Sequence, residues 1–116
     1  MPSYDNLPIY RMSMELLTIF TRVAKGFPRE YRYTFGERLQ NVALDFLIEV
    51  TLAALDVERV EVLTHLLLAR KHLEIIKILW RASREVDILS HRQYLDLLPT
   101  LSSLSMQLEG RKKSKS

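Results

Sequence analysis

The three histidines are the first candidates for chemistry in this sequence, because histidine binds metals and transfers protons near neutral pH. Helical bundles build two-metal sites from a glutamate placed three residues before a histidine. An apolar residue stands at that position before each of His65, His72 and His91. His65 and His72 lie seven residues apart, on one face of a helix, but we expect no second helix to supply matching ligands. We therefore predict no metal site and no cofactor.

Other residue types that perform catalysis are missing or poorly placed. The chain has no cysteine, which excludes disulfides, thiolate metal sites and a cysteine nucleophile. Its three glycines, at positions 26, 36 and 110, form no phosphate-binding loop. Glu58 and Glu61 fall in a predicted first helical turn, where carboxylates complement the helix dipole. We predict that the protein is not an enzyme.

A row of four basic residues lies on one predicted helix, at spacings of seven, four and three residues. The row consists of Arg70, Lys77, Arg81 and Arg84. These residues share a narrow sector of the helix, and guanidinium groups arranged in this way could follow a phosphate backbone. The alternative is a solvated face whose cations pair with acidic residues nearby.

A second basic group surrounds the predicted connection between the first two helices. It comprises Arg22, Lys25, Arg29, Arg32 and Arg38, accompanied only by Glu30 and Glu37. Four aromatic residues are interleaved: Phe27, Tyr31, Tyr33 and Phe35. Basic residues beside exposed aromatic rings suit single-stranded nucleic acid, whose bases stack on the rings. The alternative is that the aromatic rings plug the end of the bundle and the arginines cap helix ends.

The composition is that of one globular domain. The chain has 116 residues, of which 47% are hydrophobic and 27% charged, and no apolar run is long enough to span a bilayer. Residues 1–10 carry no secretion signal, so we expect a cytoplasmic protein. Of 17 basic residues, four lie in the segment 110–116, which leaves 13 basic against 14 acidic residues in the segment 1–109. We expect 110–116 to be a basic disordered tail.

The segment 1–109 is expected to form four helices, at about 7–25, 34–55, 57–86 and 90–109. Asp5 or Asn6 could cap the first helix, with Pro8 in its first turn. Thr34 and Glu37 match a capping box for the second helix, and Ser90 and Gln93 match one for the fourth. Asp56 is the expected cap of the third helix, whose core stripe is Val62, Leu66, Ala69, Leu73, Ile76 and Trp80.

Two helices have features that need a special explanation. Eleven of the fifteen residues from Asn41 to Leu55 are apolar, which is more than one core-facing stripe requires. We infer that part of this helix is covered by another copy of the chain.

Pro99 falls inside the fourth helix, where it should cause a kink or a break near Leu97 and Leu98. Because the connections are short, we predict an all-α, up-down-up-down antiparallel four-helix bundle.

Three segments carry a resemblance to a known family. Lys25 to Leu39, KGFPREYRYTFGERL, resembles the hallmark segment of the accessory variability determinant family of diversity-generating retroelements. Ile78 to Ala82, ILWRA, resembles the family's third helix, and Ser90 to Tyr94, SHRQY, resembles the start of its fourth. The similarity spans roughly residues 9–108. It is partly shared with the four-helix proteins encoded by intervening sequences in ribosomal RNA genes.

The resemblance implies a ring-like homo-oligomer, typically a pentamer, that binds RNA or DNA and a reverse transcriptase and has no catalytic step of its own. Arg32, Tyr33, Thr34 and Gly36 match the hallmark, and Arg81 matches a recurrent basic position. Pro99 and the lysine-rich ending depart from the family pattern. The alternative implied by the intervening-sequence relatives is an oligomeric scaffold that binds only protein.

Overall fold

The first long helix is built on a continuous apolar stripe. The computed structural model describes residues 4–115, and α1 spans Pro8–Lys25 after a single 3₁₀ turn at Tyr4–Asn6. Pro8 occupies the first turn, as predicted. Neither Asp5 nor Asn6 caps the helix, because the cap position is Leu7, which has no side-chain hydrogen bond. The buried side chains of α1 recur at helical spacing and include Ile9, Leu16 and Phe20.

The connection after α1 is helical, which the sequence analysis did not predict. Helix α2 spans Arg29–Tyr31, a π-helical segment spans Arg32–Gly36, and α3 spans Glu37–Leu55. The predicted start at Thr34 is therefore wrong. The Thr34 hydroxyl donates a hydrogen bond back to the Tyr31 carbonyl, at 3.3 Å, instead of capping. Pro28 precedes the first helical turn, and its fixed φ and missing N–H suit a helix start.

The core stripe of α4 is buried as predicted. Helix α4 spans Arg59–Glu85, and all six predicted core residues are buried. The Trp80 ring stacks on Phe20 of α1 with centroids 5.3 Å apart, and its indole N–H donates to the Tyr94 carbonyl at 3.0 Å. Asp56 does not cap α4. It lies before the helix, and its carboxylate accepts a hydrogen bond from the backbone N–H of Val57.

The last helix, α5, spans His91–Lys115. Its predicted capping box is confirmed, because Ser90 Oγ accepts the Gln93 N–H at 3.0 Å and Gln93 Oε1 accepts the Ser90 N–H at 2.9 Å. The helix passes through Pro99 without being divided, so the predicted break is wrong, and a bend there stays a prediction. It also continues beyond Glu109, the predicted end. The disorder expected of 110–116 stays a prediction.

The four long helices pack against one another, and no strand occurs within residues 4–115. Helix α3 packs against α1 and α4, and α5 packs against α4 and α1. The turn between α4 and α5 places Asp87 in the left-handed region, with φ of 66°. The Ile88 N–H then bonds to the Ser83 carbonyl at 3.0 Å, which is a Schellman-type helix end. None of these helices, as far as they are described, is long and apolar enough to span a membrane.

Candidate nucleic-acid interface

Every member of the predicted basic row on α4 has an acidic partner within 4.0 Å. The pairs are Arg70–Glu109 at 3.5 Å, Lys77–Glu74 at 3.3 Å, Arg81–Glu85 at 4.0 Å and Arg84–Asp87 at 3.5 Å. Lys77 also donates to the Ser105 hydroxyl of α5, at 2.8 Å. The structure therefore favours the solvated, charge-paired interpretation of this row.

These ion pairs lower the net positive charge of the α4 row but restrain its side chains little. Both side chains of the Arg81–Glu85 pair are more than 70% exposed, and exposed ion pairs of this kind contribute little stability and are screened by salt. The four acids nevertheless balance the four cations. Arg81 and Arg84 line a cleft between α4 and α5 together with His91 and Tyr94, but Glu85 lines it too. Glu85 therefore offsets one of the two arginine charges that a polyanion would meet at this cleft.

The second basic group, which we call the connection cluster, differs in this respect. It comprises Arg22, Lys25, Arg29, Arg32 and Arg38, all exposed. Arg32 Nε donates to the Phe27 carbonyl, at 3.0 Å, which holds that side chain against the turn. Among the residues that the structure describes, the other four make no hydrogen bond or ion pair through their side chains. Their charges are therefore available to an external anion.

The local sequence explains how the connection cluster is placed. Arg22 and Lys25 lie in the last turn of α1, where cations complement the negative end of the helix dipole. Arg29 begins α2, and the π-helical segment then carries the chain to Arg38 in the first turns of α3. Gly36 is buried, and a Cβ on it would lie 3.1 Å from the Ala24 Cβ. A glycine here lets this segment approach α1 closely.

The aromatic residues of the connection divide into two groups. Phe27 is buried, and Tyr31 and Phe35 are half-buried and pack edge to face with ring centroids 5.8 Å apart. These three fit the interpretation in which aromatic rings plug the bundle end. Tyr33 is 77% exposed and borders a shallow depression with Arg29 and Glu30. Of the four, it is the ring available for base stacking.

One group of ligating residues was missed by the sequence analysis. His65 Nδ1 lies 2.7 Å from Glu49 Oε2 of α3, a hydrogen-bonding partner on a second helix that the sequence pattern did not indicate. His65, Asp56 and Glu61 also have ligand atoms within 4.8 Å of one another. The spacing of Glu61 and His65, four residues apart on α4, was a visible signal. Asp56 has the residue type and position of a helix cap, which concealed its place in this group.

An exposed apolar face runs along α3. It consists of Leu44, Ile48, Leu52 and Leu55, at spacings of four, four and three residues. Ile48 is 50% exposed and Leu55 is 52% exposed. Val57 and Val60, which follow directly, are more exposed still. Helical spacing aligns these side chains along one side of α3 and around its carboxyl end.

Comparison with known proteins gives no assignment. No protein-family model matches the chain, and a search of curated proteins finds no significant match.

Proposed function

We propose that this protein is a nucleic-acid-binding accessory subunit that works as a homo-oligomer. The observation that carries the proposal is the connection cluster. It places five exposed cations between residues 22 and 38 beside two acidic residues, and four of the cations have no side-chain partner among the described residues. Neutralising phosphates with such cations releases counterions, which supplies sequence-independent affinity. Tyr33, exposed beside Arg29, adds a ring on which a base can stack.

The apolar face on α3 supports self-association. Monomeric soluble proteins rarely expose a large contiguous apolar patch, and a second copy of the same chain would bury this one. We propose a ring of subunits, with five as the number that the resemblance implies. A ring repeats the connection cluster around one particle, and linked contacts raise the effective concentration of each further contact. Several weak phosphate contacts then act together.

Within each subunit we propose the up-down-up-down antiparallel arrangement. Consecutive long helices pack together, and residues 56–58 are the whole connection between α3 and α4. Such a short connection favours antiparallel neighbours. Contacts between distant residues also support the proposal. Arg70 in the first half of α4 meets Glu109 in the second half of α5, and Trp80 near the end of α4 meets Tyr94 near the start of α5.

The proposed partner is the reverse transcriptase of a diversity-generating retroelement in the cytoplasm, with the template RNA or its DNA copy as the bound polymer. This part of the proposal depends on the resemblance of Lys25 to Leu39 and of the two shorter segments to the accessory variability determinant family. The chain would hold the nucleic acid for the polymerase and perform no chemistry itself. Co-purification with the polymerase encoded beside it would test the partnership.

The binding site is tested by removing two charges from each basic group. Lys25→Gln/Arg29→Gln removes two unpaired cations of the connection cluster, and Arg81→Gln/Arg84→Gln removes two cations that are paired with acids. We expect the first variant to weaken binding of a labelled RNA or DNA more than the second, measured by fluorescence anisotropy at one fixed salt concentration. Equal losses, or a larger loss in the second variant, would move the site to the row on α4.

A second candidate function is an oligomeric scaffold that binds only protein, as the intervening-sequence relatives suggest. The acidic partners of all four α4 cations favour it, and the apolar face serves it equally well. A measurement of RNA and DNA binding at low salt distinguishes the two functions, because the scaffold has no affinity for either polymer.

A further inference from the structure

Four side chains at the end of the bundle opposite the connection cluster form a compact group of metal-ligating atoms. Asp56 belongs to the connection between α3 and α4, Glu61 and His65 belong to α4, and Glu49 belongs to α3. His65 Nδ1 lies 2.7 Å from Glu49 Oε2, and His65 Nε2 lies 3.6 Å from Asp56 Oδ2. The ligand atoms of Asp56, Glu61 and His65 all lie within 4.8 Å of one another.

The hydrogen bond that His65 Nδ1 donates to Glu49 fixes which atom of the histidine can bind a metal. An ionised carboxylate only accepts hydrogen bonds, so Nδ1 carries the proton at this contact. In the neutral ring, Nε2 then presents a lone pair toward Asp56 and Glu61. Three acceptor groups that converge in this way repel one another unless a cation lies between them. Either a proton on Nε2 or a metal ion satisfies that requirement.

We propose that Asp56, Glu61 and His65 bind a zinc ion, with Glu49 as the positioning residue that orients the imidazole. Zinc takes His nitrogen at about 2.0–2.1 Å and carboxylate oxygen at about 2.0–2.2 Å in tetrahedral sites, which places neighbouring ligand atoms about 3.3 Å apart. The Nε2–Oδ2 separation of 3.6 Å is close to that value. Glu61 is exposed, so a rotamer change can bring its carboxylate to the ion.

The ligand set also indicates the class of metal. Imidazole selects zinc and other first-row transition metals over magnesium, which prefers oxygen ligands alone and keeps its waters. A carboxylate bonded to the far nitrogen of a ligating histidine is the usual second-shell arrangement at zinc. Three protein ligands leave a fourth position for water. The ion would fasten the connection between α3 and α4 to the first two turns of α4.

Titration calorimetry of the metal-free, full-length chain with zinc chloride tests this inference. We expect one zinc ion per chain and an increase in melting temperature on binding. His65→Gln and Glu61→Gln each remove a ligand and should weaken binding at least tenfold. Glu49→Gln should weaken it by about 10- to 100-fold, the range typical of second-shell changes. Magnesium chloride should give no comparable binding.

His72→Gln is the matched control, since His72 is a half-buried histidine two turns further along α4 and should leave zinc binding unchanged. If His65→Gln fails to fold, Glu61→Gln still tests the site, because the Glu61 side chain is exposed and its replacement should leave the fold intact. Absence of zinc binding by the unmodified chain would contradict the inference. Unchanged binding by the Glu61 variant, or equal loss in the His72 variant, would also overturn it. The outcome is independent of nucleic-acid binding.

Discussion

At the scale of single residues, Gly36 has the most sharply defined role in the connection. It is buried in the π-helical segment, and a Cβ on it would lie 3.1 Å from Ala24 Cβ of α1 and 3.6 Å from the Phe27 ring. Its φ of −62° is ordinary for any residue. The glycine is therefore required for space and not for an unusual backbone conformation.

Gly36→Ala should destabilise the protein relative to Gly110→Ala. Both glycines are helical, so both variants gain about 1 kcal/mol of helix propensity. A Cβ at Gly110 meets nothing within 4 Å, whereas at Gly36 it forces packed neighbours apart, which costs about 1–3 kcal/mol. Thermal or urea unfolding of the two variants measures the difference. Equal stability would show that α1 and the connection can move apart to accept the Cβ without lowering the free energy of unfolding.

The roles of polar residues near helix ends depended on contacts that the sequence does not display. Thr34 and Asp56 both have the residue type and position of a helix cap, yet Thr34 lies within helical backbone and Asp56 precedes α4 by three residues. Ser90 and Gln93 fulfil the same pattern and do form a capping box. The difference is that the chain before Ser90 is a true helix end, whereas the chain before Thr34 is already helical.

At the scale of elements, α5 is notable for containing a proline without being divided. Pro99 is exposed, lacks the N–H that would bond to the Leu95 carbonyl, and lies between the buried residues Leu97 and Leu101. A proline inside a helix costs about 3 kcal/mol relative to alanine. The apolar contacts of α5 on both sides of the proline therefore offset that cost.

Pro99→Ala should raise the stability of the protein by about 1–3 kcal/mol, because it restores one helical hydrogen bond and relieves a clash. Chemical denaturation followed by circular dichroism measures the gain. Met106→Ala, a change at an exposed position on the same helix, controls for surface effects. A loss of stability in Pro99→Ala would show instead that the core requires a bend at this proline.

Long helices with one regular apolar stripe were predictable, and the irregular connection was not. All six residues of the predicted α4 stripe are buried, because a helix that buries one face carries apolar residues at a 3.6-residue period. The segment from Arg29 to Gly36 has no such repeat, and it ends at a buried glycine that lies close to Ala24 and Phe27. Pro28 was a visible signal in this segment, because proline favours the start of a helix.

At the scale of the whole molecule, the exposed apolar face on α3 predicts self-association. Ile48→Glu should dissociate the oligomer, because an ionised carboxylate cannot be buried without a partner. Met106→Glu introduces the same charge at an exposed apolar residue of α5 outside the face and should leave the oligomer intact. Light scattering of both variants measures the mass. A monomeric unmodified chain at micromolar concentration would remove the basis for the proposed ring.

The functional surface was only partly predictable because charge pairing depends on the fold. Both basic groups were evident in the sequence, but they differ in their neighbours. Glu85 and Asp87, three or four residues from Arg81 and Arg84, were visible signals that the α4 row is paired. Glu109, which pairs with Arg70 from another helix, was not. The three-dimensional structure was needed to distinguish paired cations from those of the connection cluster.

The most direct test of nucleic-acid binding is a salt series on the unmodified protein. Fluorescence anisotropy with a labelled structured RNA and a DNA of equal length gives the affinity at each salt concentration. We expect binding at low salt, with log affinity falling linearly as log salt rises. Lys25→Gln/Arg29→Gln should reduce the slope by about two per subunit in contact. No binding to either polymer at low salt would contradict the account and favour the protein scaffold.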